Sequence, residues 1–414
     1  MRGHGSLPSV SSPGDIDPTQ PVIIAALRTP ICRSGGALKT YRAHSLLAPV
    51  LASLLDLAGL HSEDVTDVII GNAVGGGGNV ARFAALEAGL PPGVPGITVD
   101  RQCGSGLDAI VLASRLVAAG GDGVYLAGGV ESISTAPLRA HRNDDGEPDF
   151  YRRASFVPAA YGDPDMGVAA ENVASEFGIS RERQDAFALA SHARASVARA
   201  SGVFRGETVP LRDGRGSDVV TLDGGPRTSL TPSVLARFPA AFVEGGTVTA
   251  GNSCFDADAA SAVVITSLRR ARELGAADGL LVLGSDTAGV DPRLLGIGAS
   301  VAAERLLESH DLASDRLDLV EFNEAFASQA LACLDALEIA PERVNLDGGA
   351  LALGHAYGAS GAVLVTRLLA QARHRFDAAS DAGPVADGEK LALAMISIAG
   401  GMGTAALFRY LPEL

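Results

Sequence analysis

The chain has 414 residues, long enough for two or three domains' worth of buried core. Its formal net charge of −15 argues against a general nucleic-acid or anionic-membrane surface, so an anionic ligand must find a local basic site. Four cysteines, Cys32, Cys103, Cys254 and Cys333, lie far apart without CxxC spacing, which suggests neither a zinc knuckle nor a disulfide framework and fits a reducing, cytoplasmic setting. Trp is absent and 50 glycines accompany abundant Ala, Val and Leu, a composition that favours closely packed helices and buried strands in an α/β protein.

Residues 1–20 lack the apolar run of a signal peptide and read as a flexible polar leader. Strand-like runs follow in "PVIIAAL", "VTDVIIGNAV" and "GITVDRQ", then a helix in "GLDAIVLASRLVAAG" and a strand in "GVYLAGG". This βα alternation predicts a layered sheet. The same order returns in "GLLVLGSDTAGV", "DLVEFNEAFASQALACLDAL" and "ALAMISIAGGMGTAALF", so two related halves are expected, 21–272 and 278–414. Between about 132 and 247 the composition turns charged and loop-rich, as expected of an insertion carried by the first half and covering a site. It contains two helical segments, the second with Ser180 as N-cap before "RERQ". From Leu391 to Phe408 the chain carries no charge, at the roughly 18-residue threshold for a membrane helix. Gly400, Gly401 and Gly403 break it centrally, so two buried strands joined by a tight turn are predicted.

Three places could carry chemistry. "VDRQCGSGLDAI" sets Cys103 between a strand end and a helix start, where the helix field and nearby N–H groups would favour a thiolate. A buried cysteine acting as a small hydrophobe is the commoner alternative. "GGALALGHAYGASGAVL" places His355 in a glycine-rich bend before another helix. "EFNEAF" sets Asn323 and Glu324 at a strand-to-helix handover, where a simple N-cap is the bland reading. Together they describe a Cys, His, Asn constellation suited to acyl transfer.

With these motifs in view, the chain resembles the thiolases, enzymes that form or cleave 3-ketoacyl-CoA. "RTPICRSGGALK", "TVDRQCGSGL", "MGVAAENVA", "GTVTAGNS", "EFNEAFASQ" and "GGALALGHAYGASG" match the family's motifs in order, from about Pro21 onward. The resemblance implies a duplicated five-layered α-β-α-β-α core with the insertion as a lid, a homodimer or homotetramer, and coenzyme A as substrate and product. No permanently bound cofactor, metal, nucleic acid or membrane insertion is implied. Cys103 would take the acyl group, His355 would activate it with an imidazole titrating near neutrality, and Asn323 would position a water in the first oxyanion hole. Arg227 would meet the adenine nucleotide of coenzyme A; Met166, Ser253 and Cys254 would line the pantetheine and acyl path.

The resemblance also exposes a departure. Family members end in "CIGGGMG", whose cysteine is the acid/base for the carbon–carbon step; here the segment is "SIAGGMG". Ser397 takes the base position, and a hydroxyl is a far weaker acid than a thiol. The second oxyanion hole, built from the backbone N–H groups of Cys103 and Ala399, survives if alanine tolerates the required angles. Three readings stay open: Ser397 relaying a proton to His355, which is favoured; Cys254 taking over; or a decarboxylative condensation that needs no base. A non-condensing acyl-CoA-binding protein is the alternative of another class. Asp100, Val80 and Ala356 also depart from the family's usual Asn, Pro and Pro.

Overall fold

The computed structural model describes residues 16–212, 218–376 and 389–414. Most of the expected leader therefore lies outside the described residues, although Ile16 already packs into the core. Nine main strands follow in chain order: β1 Pro21–Arg28, β2 Val65–Gly71, β3 Gly96–Val99, β4 Val124–Glu131, β5 Ala257–Ser267, β6 Gly279–Gly289, β7 Leu319–Phe322, β8 Lys390–Ile398 and β9 Met402–Leu411. They are ordered β7-β8-β9-β6-β1-β5-β4-β2-β3.

The duplication expected from element order is visible in the pairing. In the first half β1–β5 and β5–β4 are antiparallel and β4–β2 parallel. In the second half β6–β9 and β9–β8 are antiparallel and β8–β7 parallel. Among the described residues the half-sheets meet only where Val22 and Ile23 pair with Leu281 and Leu280.

Five layers follow from which side chains share a core. On one outer face, α1 (Ala43–Ala58) and α2 (Val80–Glu87) pack on Val22, Ile24, Val68 and Ile70. Centrally, α3 (Ser105–Ala118) and α8 (Tyr357–Phe376) pack on Ile23 and Ile69 from one half-sheet and on Ala394 and Ile396 from the other. On the far face, α6 (Gly298–Ser309) and α7 (Ala327–Ala336) cover Leu393 and Met395. Successive residues thus point into different layers, as a strand buried on both faces requires, which is why these segments read as continuous apolar runs.

The uncharged stretch near the C-terminus is a hairpin, Ile398 pairing with Met402. No helix among the described residues is long and apolar enough to cross a membrane. The insertion carries α4 (Met166–Glu176) and α5 (Arg181–Ser201), and Ser180 caps α5 by accepting from the Arg183 N–H at 3.3 Å.

Two glycines set the active end of the central layer. A Cβ on Gly106 would stand 2.5 Å from the Gly358 carbonyl oxygen, and one on Gly361 would stand 2.6 Å from the Leu107 nitrogen. Only glycine lets α3 and α8 touch there backbone to backbone. Cys103 lies two residues before α3 and His355 two residues before α8, so this contact brings both to one place.

Candidate active site

A cavity of about 840 Å³ opens at that place. Cys103, His355, Ser397, Ala399, Cys254 and Met166 all line it, with Phe156, Phe242 and Phe326 among its apolar walls. Sequence reasoning had these residues scattered over nearly three hundred positions.

Cys103 sits in a single 3-10 turn, Gln102–Gly104, between β3 and α3. Gln102 holds a φ of 48°, an uncommon angle for a residue with a side chain. Asp100 supports it by accepting from the Gln102 N–H at 2.7 Å and from its side-chain amide at 3.1 Å, bonds that the oxygen of the family's Asn could also accept. The N–H groups of Ala399 and of Cys103 itself favour the charged form of the Cys103 sulfur. Burial nevertheless outweighs them and pushes the thiol up to about 11. The expectation of a helix-stabilised thiolate is corrected here: desolvation disfavours the charged form more than the local dipoles favour it, and the resting group is a thiol.

His355 is buried, and burial pushes its imidazole down to about 4. An imidazole titrating near neutrality is therefore also corrected; the ring rests uncharged. Its Nδ1 meets the Ser360 hydroxyl at 2.7 Å, and the Ala356 N–H donates to the same hydroxyl at 3.0 Å. A proline at 356 would have no N–H to offer, so Ala356 adds a support for Ser360. The hydroxyl can present its hydrogen or a lone pair to Nδ1, which lets Nε2 act as acceptor or donor. Nε2 is buried and makes no hydrogen bond among the described residues.

Asn323 does not line the main cavity. It follows directly on β7 at a neighbouring void of about 20 Å³, with its Nδ2 buried and unpartnered among the described residues. Glu324 turns away, bound to Asn345 Nδ2 at 2.6 Å and the Ser191 hydroxyl at 2.7 Å. Two residues on, Ala325 and Phe326 return to the cavity, and the Ala325 carbonyl accepts from the Cys254 N–H at 3.0 Å.

Ser397 is engaged on its inner side. Its hydroxyl donates to the Gly296 carbonyl at 2.6 Å and accepts from the Ala299 N–H at 3.2 Å and from Gln329 Nε2 at 3.3 Å. In the turn that follows, the left-handed angles fall on Gly400 and Gly401, with φ of 86° and 82°, and not on Ala399. Alanine at 399 is therefore unstrained, and its N–H still acts on Cys103 to favour the thiolate.

Arg227 lies beyond the main cavity, on an adjoining one of about 540 Å³ that shares Phe242, Ser253 and Cys254 with it. Sequence reasoning missed two of its neighbours. Arg33 faces the same space with its guanidinium 4.1 Å from the Phe255 ring centroid, and burial together with the Arg227 charge lowers its affinity for a proton. His192 accepts from the Arg227 N–H at 3.3 Å; burial first, then the Arg227 charge, push it down to about 4. Arg33 stands inside a motif that the sequence made visible, whereas His192, midway along α5, carried no signal.

Known proteins resemble this chain over nearly its whole length. The family model described as the thiolase N-terminal domain matches residues 21–269, and that for the thiolase C-terminal domain matches 281–410. The Staphylococcus aureus (strain MRSA252) protein VraB, provisionally named an acetyl-CoA C-acetyltransferase, is 42% identical over 393 residues, covering 94% of this chain and 99% of that protein. Bacillus subtilis (strain 168) YhfS, named in the same way, is 42% identical over 390 residues. The crystal structure of the Bacillus anthracis acetyl-CoA acetyltransferase superposes with a TM-score of 0.84 at 34% identity, covering 95% of this chain and 99% of that one.

Proposed function

The chain belongs to the thiolase family and is an acyl-CoA acyltransferase, and from that premise we propose the residues by which it works. Cys103 attacks the 3-keto carbon of a 3-ketoacyl-CoA, the C2–C3 bond breaks, and acetyl-CoA leaves as an enolate that takes a proton at C2. Coenzyme A then attacks the acyl-Cys103 thioester, and the acyl group leaves on its sulfur. Read backwards, the same steps condense two acyl-CoA molecules.

The observation that carries this reading is the convergence at one cavity: the partly buried Cys103 thiol, whose charged form the Ala399 and Cys103 N–H groups favour, and a neutral His355 whose Nε2 has no hydrogen-bond partner among the described residues. His355 Nε2 accepts the thiol proton and donates to the thioester oxygen, while Asn323, on the neighbouring void, would act there only through a water. The Cys103 and Ala399 N–H groups hold the second oxyanion. Ser397, with its hydrogen engaged by Gly296, fits best as the anchor of this loop.

Coenzyme A enters through the adjoining cavity, its phosphates meeting Arg227 and Arg33 and its pantetheine passing Ser253, Cys254 and Met166. A homodimer or homotetramer in the cytoplasm, serving acyl-CoA metabolism, completes the reading. Coenzyme A-dependent cleavage of a series of 3-ketoacyl-CoA chain lengths tests it. Cleavage should be found for at least one length and be abolished in Cys103→Ala, and Arg227→Ala should raise KM for coenzyme A more than it lowers kcat. A Cys103→Ala variant that still cleaves would overturn the assignment.

A further inference from the structure

The carbon–carbon step needs a group that takes a proton from, or returns it to, the α-carbon of the acetyl thioester. The side chains nearest the expected position are poorly placed for this. Ser397 points its hydrogen at the Gly296 carbonyl and receives two N–H donors. Cys254 is held as a thiol, its affinity for the proton raised by burial, by Asp256 and by Cys103. His355 is required at the thioester oxygen and the Cys103 sulfur.

One pair in the same cavity remains unused. The Tyr357 hydroxyl donates to Asp256 Oδ1 at 2.7 Å, and both residues line the cavity with Cys103, Cys254 and His355. The Tyr357 ring meets the His355 ring edge to face, centroids 5.2 Å apart at 73°. The segment bearing Asp256 is fastened to the histidine's own backbone: His355 N–H donates to the Phe255 carbonyl at 2.9 Å, and Ala257 N–H donates to the His355 carbonyl at 3.1 Å. The carboxylate and phenol are thus fixed relative to the catalytic ring, and Asp256 reaches solvent.

Resting on the thiolase reading above, we infer that Tyr357 and Asp256 form the proton relay of the carbon–carbon step. In condensation the C2–H bond of acetyl-CoA breaks, its electron pair stays on the enolate, and the proton passes to the Tyr357 oxygen as the phenol's own proton passes to Asp256. The enolate attacks the acyl-Cys103 carbonyl carbon, the new C–C bond forms, and the C–S bond to Cys103 breaks. In thiolysis a proton travels from the Asp256 carboxyl through Tyr357 to C2. Asp256 exchanges its proton with water between turnovers, so charge is restored. Burial and the facing carboxylate keep the phenol protonated, which suits a conduit and not a phenolate base. A carboxylate is the terminal acceptor.

The test uses Tyr357→Phe, which keeps the ring and loses the hydroxyl, and Asp256→Asn, which can still accept the phenol's hydrogen bond but cannot take its proton. Acylation of Cys103 by acetyl-CoA is read by intact mass, and enolate formation by deuterium uptake into the acetyl-CoA methyl group from D₂O. Both variants should acylate within about threefold of the parent protein. Both should lose about 100-fold or more in deuterium uptake and in acetoacetyl-CoA thiolysis, as expected for a lost general acid–base group. Variants that acylate and exchange at the parent rate would overturn the relay while leaving the thiolase site intact. Loss of acylation and exchange together would assign the pair to positioning His355, also against the relay. A parent protein that exchanges no deuterium but consumes malonyl-CoA with release of CO₂ would overturn it too. Failure of the parent protein to acylate at all would remove the site assignment and the relay together.

Discussion

At Cys103 two opposing effects meet on one atom. Two N–H groups favour the thiolate and burial disfavours it, and burial wins, leaving the thiol near 11 beside an imidazole pushed down to about 4. On the proposed mechanism the thiolate is made on demand, as His355 takes the thiol proton while the sulfur attacks and the N–H groups hold the oxyanion that forms. A consequence is measurable without substrate. Below about 11 the thiolate fraction rises about tenfold per pH unit, so alkylation of Cys103 by iodoacetamide should climb steadily from pH 7 to 9. A rate already flat across that range would show a pre-formed thiolate. At this scale the sequence was informative where chemistry is local: Cys103 and His355 could be singled out because glycines and helix starts surround them, whereas Ala399 emerged only through the resemblance to the thiolases. Tyr357 and Asp256 could not be paired, because their contact spans 101 positions, although Tyr357 lies in the same glycine-rich motif as His355. The three partners of Ser397, likewise distant in the chain, were equally hidden.

Among the elements, the insertion depends on a buried ion network for its attachment. Arg28 at the end of β1 is fully buried and binds Glu207 at 2.6 Å and Asp223 through two contacts at 2.7 and 2.9 Å. Arg367 on α8 joins Glu207 to Asp347. Asp223 also accepts from the Ile31 N–H at 2.8 Å, so the loop that carries Arg227 is tied to the core four residues upstream. Asp223→Ala strands part of the Arg28 charge in a dry interior and should cost about 3–5 kcal/mol in chemical denaturation. It should also raise KM for coenzyme A, because Arg227 loses its anchor. A loss under about 1 kcal/mol would mean that water replaces the carboxylate. Element types and order were readable from apolar runs, N-caps and glycine turns, including the hairpin that interrupts the uncharged C-terminal stretch. The ion network was not, since Arg28, Glu207, Asp223 and Arg367 look in sequence like solvated charges.

For the molecule as a whole, duplication places two helix starts against each other and so creates one site from two half-domains. Among the described residues the same sheet ends at β3 with no further strand, and there Ile97 and the nearby Phe83 and Leu86 of α2 are 44%, 53% and 45% exposed. Apolar side chains beside an unpaired edge favour self-association, and light scattering should give a dimer or tetramer mass that Ile97→Lys lowers. A monomer in the parent protein would contradict this. Stability should depend on pH through Glu321, whose carboxyl burial pushes up to about 8. The unfolded chain releases that proton near the ordinary carboxylate range, so this group's contribution is present at low pH and lost as pH rises toward 8. The melting temperature of Glu321→Gln relative to the parent should therefore increase between pH 5 and pH 8; a constant difference would refute it. The central claim, that the chain works through an acyl group held on one sulfur, is tested most directly by mixing the protein with acetyl-CoA or a 3-ketoacyl-CoA, quenching in acid and mapping peptides by mass. The acyl mass should fall on the peptide bearing Cys103 and vanish in Cys103→Ala. Acyl label on Cys254, or label that persists without Cys103, would contradict it.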